Sequence, residues 1–230
     1  MTDPWDDVGY LAWLRADLAL QRLEAWAAEH LDTDPGHNLA HALRVGYQAS
    51  RLARALGACP REATAAALLH DVVNVPKNDP RRAESSSLSA TKAIELLPDY
   101  GFSPAAVARI ADAIRDHSYS RGATPAHALG QALQDADRLE ALGVIGLFRC
   151  ISTGTLMGAS YFDDADPFAH DRPLDDLRYS VDHFYTKLLR LPQSFLTEAG
   201  RAEADKRAAY LRTTLIQLAD ELGVAVRPFP

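Results

Sequence analysis

Cysteine is scarce: Cys59 and Cys150 are the only two in 230 residues, far apart and outside any CxxC pattern. That excludes a disulfide framework and a thiolate zinc site, and leaves two reduced, mostly buried thiols as the expectation. No stretch reaches the roughly eighteen consecutive apolar residues of a membrane span, so no membrane partner is expected. The first residues, MTDPWDD, place acids where a signal peptide needs positive charge, and a cytoplasmic location is the expected default. Positive charge is in the minority, 24 Lys and Arg against 31 Asp and Glu for a net −7, and no cluster of four or more basic residues occurs. A nucleic-acid polymer is therefore not an expected partner, although an acidic chain can still hold a basic pocket. Strand patterns, internal repeats and low-complexity tracts are missing too.

What is present is helical signal from end to end, with 47% hydrophobic residues, enough for a substantial core in one domain. The expected fold class is all-α, a single globular multi-helix bundle over residues 1–230. Residues 5–30 space Leu11, Leu14, Leu18 and Trp26 as one amphipathic helix. Asp34-Pro35 breaks it, and a second helix is predicted over 38–56, closed by Gly57. Pro60 stands at a first helical position before a nearly pure Ala/Leu run over 63–69, which predicts a buried third helix. Residues 74–87 (NVPKNDPRRAESSS) read as a polar loop, and 87–97 as helix. Ser103-Pro104 and Thr124-Pro125 each pair an N-cap residue with Pro and predict helices ending near His117 and Leu142. Gly143 marks a joint. Residues 147–173 start helical and become a long loop, of a length that is usually functional or mobile. Helices over 174–191 and 197–222 complete the chain.

The residues that suggest chemistry are not local in sequence. His37 and His41 lie four apart on the second helix, His70-Asp71 ends the buried third, and Asp135 and Asp137 lie on the sixth. The pair at 70–71 is the informative one, because six of the seven residues before it are apolar and a polar loop comes next. Two potential ligands thus stand at the deep end of a core helix, where a charge needs a partner. A divalent cation, which takes imidazole nitrogen and carboxylate oxygen, is such a partner.

Three segments, HNLAHALRV at 37–45, AALLHDVVN at 66–74 and QDADRLEALG at 134–143, resemble in order and spacing the metal-ligand segments of the HD-domain phosphohydrolases. The resemblance implies an HD-type bundle with a metal-site core at about 34–145 and a C-terminal helical extension at about 146–230. It implies one divalent metal ion held by His41, His70, Asp71 and Asp137. Asp137 is preferred to Asp135 because the family's ligand follows a small residue and precedes Arg or Lys. HSYSRG at 117–122, TGTLMGASYFDDADPF at 153–168 and VDHFYTKLLRLP at 181–192 are similar to the bacterial branch that includes nucleoside triphosphate pyrophosphohydrolases. That branch implies manganese as the favoured metal, although Mg, Ni, Co, Fe and Zn bind the same donors. It also implies a small phosphorylated substrate, a nucleotide, with a homodimer left open.

Around that core, Asp71 would ligate and orient water, and His117 would donate to a phosphate or protonate a leaving group. Lys77, Arg81 and Arg82 are candidates for the substrate phosphates, with solvated loop charge as the alternative. Arg44 shares a helix face with His41 and is expected to bridge carboxylates, with His37 behind the ligands. His183 and Lys187 are substrate-side candidates against a packing or surface role. His30, His127 and His170 read as surface residues, and Asp163, Asp164 and Asp166 as solvated charge. Two other functions stay in view: a non-catalytic regulator of the same fold, and a di-iron oxygenase, for which His117 and Asp116 lack the paired-histidine pattern.

Overall fold

The computed structural model describes residues 7–34, 36–75, 79, 81, 84–118 and 122–230, and among these the regular structure is all helix apart from one isolated bridge. It divides into two compact units at Asp137/Arg138. The first holds α1 (Asp7–Ala16), α2 (Leu18–His30), α3 (Leu39–Ala55), α4 (Pro60–Leu69), α5 (Ser85–Leu96), α6 (Pro104–Asp116) and most of α7 (Ala128–Leu139). The second holds α8 (Gly143–Leu156), α9 (Ser180–Thr186), a 3-10 stretch (Leu188–Ser194) and α10 (Glu198–Leu222).

The first unit is organised on α4. Every residue from Glu62 to Leu69 is buried, and the small side chains let α2, α3 and α6 close around it. Leu68 and Leu69 are fully enclosed, each contributing about 1.5–3 kcal/mol of apolar burial. With the last turn of this helix at the centre of the unit, its immediate successors His70 and Asp71 are carried there too.

Several boundaries differ from the sequence expectations for identifiable reasons. The single helix expected over 5–30 is broken at Asp17, whose Oδ1 accepts the N–H groups of Ala19 and Leu20 at 2.9 and 3.2 Å and so starts α2. Asp17 Oδ2 accepts Arg61 Nε at 2.7 Å, tying that corner to α4. Asn38 caps α3 by accepting His41 N–H at 3.1 Å, which leaves His37 outside the helix rather than on it. The helix expected from Thr124-Pro125 starts at Ala128, where the His127 ring accepts Gly130 N–H at 3.2 Å. That ring is half-buried and capping, not a surface group. Cys59, expected to be buried, is the exposed residue before α4.

In the second unit Phe168, Val181, Phe184, Leu211 and Leu215 form part of the core. The expected joint is real: Gly143 has φ +67, a left-handed backbone that favours glycine. Three residues on, a Cβ at Gly146 would overlap the carbonyl carbon and oxygen of Ala141, a backbone that cannot step aside. Gly146→Ala is expected to cost about 1–3 kcal/mol, read as a lower urea midpoint of the full-length protein; an unchanged midpoint would show that the two segments do not touch.

The helix expected over 174–191 begins only at Ser180, and residues 157–179 are irregular but fastened. Ser160 N–H donates to Arg178 O, and Ser180 N–H to Ser160 O, both at 2.9 Å. Of the three acids expected to be merely solvated, Asp164 is exposed, while Asp163 and Asp166 are engaged. Asp163 Oδ1 accepts the N–H groups of Ala165 and Asp166 at 2.9 Å, and its Oδ2 accepts the Tyr179 hydroxyl at 2.6 Å. The Tyr179 hydroxyl and those backbone donors hold the Asp163 carboxyl down at about 2. Asp166 accepts the N–H groups of His170 and Asp171 at 2.8 and 2.9 Å. No single described helix is long and apolar enough to cross a membrane.

Candidate metal centre

Six side chains of the first unit converge. They form three overlapping groups, His37/His41/Asp71, His41/His70/Asp137 and His70/Asp71/His117, in each of which the donor atoms lie within 4.8 Å of one another. Each comes from a helix end or a helix face: His41 from the first turn of α3, His70 and Asp71 from the end of α4, His117 from the end of α6, Asp137 from α7. His37 stands just ahead of the α3 cap.

Local hydrogen bonds decide which ring nitrogens are available. His70 Nδ1 lies 2.7 Å from Ala67 O and His117 Nδ1 lies 2.6 Å from Ile114 O. A carbonyl only accepts, so both rings carry their proton on Nδ1 and present the Nε2 lone pair inward. The two residues share one device: each caps its helix in the same backbone conformation and bonds the carbonyl three residues back. His70 is 1% exposed and its Nε2 has no hydrogen-bond partner among the described residues. It lies 3.4 Å from Asp71 Oδ2 and 3.8 Å from Asp137 Oδ1, while His41 Nε2 lies 3.5 Å from the same Asp137 oxygen. Separations slightly beyond hydrogen-bond range, between lone pairs and carboxylate oxygens, leave room for a cation.

Asp71 is the hub. His37 Nδ1–H donates to its Oδ2 at 2.8 Å, and His117 Nε2 lies 3.7 Å from its Oδ1. Burial alone would raise this carboxyl, but the charge of His70, the hydrogen bond from His37 and the charge of His117 hold it well below the usual carboxylate range. Burial pushes the His117 imidazole down and His70 adds to that, against the opposing pull of Asp71 and Asp137. A carboxylate facing imidazole nitrogens is the donor set that a divalent ion takes.

Arg81 is exposed and its guanidinium sits on Asp79, Nη2 to Oδ2 at 3.1 Å, so this arginine is engaged within its loop. Lys77 and Arg82 lie outside the described residues. Arg44 is half-buried on α3, and Asp135 is fully buried and not among the converging groups. His183 and Lys187 belong to the second unit, where Asp176 Oδ2 lies 3.1 Å from His183 Nδ1 and accepts Thr186 Oγ1–H at 2.9 Å. Sequence reading misses Ser85 and Ser89, whose hydroxyls bond the backbone after Asp71. Their spacing of four on a helix is visible, but nothing in it points to that target.

Comparison with known proteins relates the chain to a family and to solved structures. The HD domain family matches residues 38–142. The uncharacterized protein YpgQ of Bacillus subtilis (strain 168) is 27% identical over 208 residues, covering 88% of this chain and 93% of that protein. The crystal structure of YpgQ in complex with ADP superposes with a TM-score of 0.69 at 24% identity, covering 89% of this chain and 95% of that one. An HD-superfamily hydrolase from Bacillus thuringiensis superposes with a TM-score of 0.67 at 27% identity, covering 89% of this chain and 97% of that one.

Proposed function

We propose that this chain, whose residues 38–142 match the HD domain family and which is similar to an HD-superfamily hydrolase, is a metal-dependent phosphohydrolase that hydrolyses a phosphate anhydride or ester of a nucleotide, with His41, His70, Asp71 and Asp137 holding one divalent metal ion. The observation that carries this reading is the buried His70 Nε2, without a hydrogen-bond partner among the described residues and facing two carboxylates at 3.4 and 3.8 Å. A lone pair kept dry opposite negative charge is costly unless a cation lies between them. The nucleotide is supported by the ADP bound to the related YpgQ. Nucleoside triphosphate pyrophosphohydrolysis with manganese is supported by the similarity of residues 117–122, 153–168 and 181–192 to that branch.

When bound, a divalent ion supplies Lewis acidity toward a phosphoryl oxygen and toward water. The chain's own residues do the remaining work. The His37 N–H fixes one oxygen of Asp71 and leaves the other facing His117. His117, locked with its proton on Nδ1, holds or moves a proton at Nε2. Lys77, six residues after Asp71 in the sequence, neutralises substrate phosphate charge.

The test is the full-length protein with manganese against a panel of nucleoside mono-, di- and triphosphates, scoring orthophosphate and pyrophosphate separately. Pyrophosphate release from a triphosphate is expected. Metal uptake without turnover of any nucleotide would turn the reading to a non-catalytic regulator. Lys77→Ala is expected to raise KM about tenfold, the worth of about 1.4 kcal/mol of phosphate binding, with manganese content unchanged; wild-type kinetics would remove Lys77 from the site.

A further inference from the structure

The chain that leaves Asp71 has lost its helix but not its need for hydrogen-bond partners. Val72 N–H still reaches back to Leu69 O at 3.3 Å, the last backbone bond of the α4 exit. Val73, Asn74 and Val75 then run without regular structure, half-buried or buried. Backbone groups removed from water must be satisfied by something, and here two serine hydroxyls do it. Ser89 Oγ accepts Val73 N–H at 3.1 Å and faces Val73 O at 3.5 Å. Ser85 Oγ donates to Val73 O at 2.5 Å and accepts Val75 N–H at 3.3 Å.

Ser85 and Ser89 stand one turn apart on α5, so both hydroxyls leave the same face of the helix. Ser89 is fully enclosed. Only His70, Asp71 and Val72 separate the last residue of α4 from this anchor, so the backbone that carries the Asp71 carboxylate is held at both sides.

We propose that Ser85 and Ser89 are positioning residues for the metal centre: by fastening the backbone of Val73 and Val75 to α5 they set where Asp71 points. The inference rests on reading Asp71 as a metal ligand. A carboxylate whose two oxygens face His37 and His117 at 2.8 and 3.7 Å tolerates little drift before it leaves the donor set.

The test compares full-length wild type, Ser85→Ala, Ser89→Ala, the double variant and Ser85→Thr, which restores a hydroxyl at the half-buried position. Manganese affinity, metal-free melting temperature and amide exchange at Val73 and Val75 are measured on each. The expected result is faster exchange at those two amides, and manganese affinity lower by about 10–100-fold in the double variant and partly so in Ser85→Ala. Ser85→Thr is expected to recover the wild-type affinity. A role confined to fold stability would lower the metal-free melting temperature and leave the affinity of the folded protein alone. Should Ser89→Ala fail to fold, Ser85→Ala still decides the matter. Wild-type affinity and protection in Ser85→Ala, with the wild type binding manganese, would overturn this inference by itself. A wild type that binds no manganese would overturn the metal reading and this inference together.

Discussion

Alanine in place of His70 will give a folded protein that retains no manganese after dialysis and turns over its nucleotide about 10³-fold more slowly or worse, and Asp137→Ala will behave alike. The magnitude comes from losing a Lewis acid worth several kcal/mol, since about 4 kcal/mol is a factor of about 10³ in rate. Folding survives for different reasons at the two positions. The bond from His70 Nδ1 to Ala67 O is local, and losing it costs about 1 kcal/mol beside a core of α4 that stays intact. The Asp137 side chain is 27% exposed, so removing it opens no cavity in the core. Melting curves with and without manganese separate the two effects. Wild type gains about 2.7 kcal/mol when the ion is present at a hundred times its dissociation constant. Neither variant is expected to move. Full metal content or the wild-type rate in either variant would remove that residue from the proposed ligand set.

The converging residues are legible in the sequence where they sit at helix ends. An Ala/Leu run followed by His-Asp announces a core helix whose last turn carries two polar groups, and that pattern survives without knowing any neighbour. His41 and Asp137 come from family likeness instead, because a lone histidine near an amphipathic helix has no signature of its own. His117 shares with His70 a bond to the carbonyl three residues back, an equivalence visible only once both rings are placed. The capping role of Asp17 is hidden for a related reason: an aspartate on the polar face of an amphipathic pattern looks the same whether it faces water or ends one helix and starts another. Ser85 and Ser89 carry no sequence signal of their role, because a side chain bonding backbone 10 to 16 residues away leaves no period.

Two polar clusters, one in each unit, differ in how their groups are used, and that difference bears on what a substitution does. In the cluster of the first unit the buried rings of His70 and His117 face the half-buried Asp71 carboxylate across gaps of 3.4–3.7 Å, an arrangement that suits a ligand more than a stable hydrogen-bond network. In the second, buried charge is closed on itself. Asp182 is fully buried and accepts Arg172 Nη1 at 2.5 Å, Nη2 at 3.0 Å and Asp175 N–H at 2.7 Å. The first kind of site loses function when altered, and the second loses fold.

Arg172→Ala is therefore expected to bring the larger loss of stability, about 3–5 kcal/mol, because it strands the Asp182 carboxylate away from water with a single N–H donor left to it. The arginine also ties the irregular segment together. Its Nε donates to Asp166 O at 3.2 Å, and its guanidinium lies 4.4 Å from the centre of the Tyr179 ring. Urea denaturation of the full-length protein reads the loss, and limited proteolysis within residues 157–179 should rise with it. The double change Arg172→Met with Asp182→Leu separates a stranded charge from lost packing: it removes both charges, so most of the stability should return, whereas Arg172→Ala alone should not be rescued by salt. A loss under about 1 kcal/mol for Arg172→Ala would place this pair with ordinary solvated surface pairs, and Asp182 would then have to reach water by a route that its full burial does not provide.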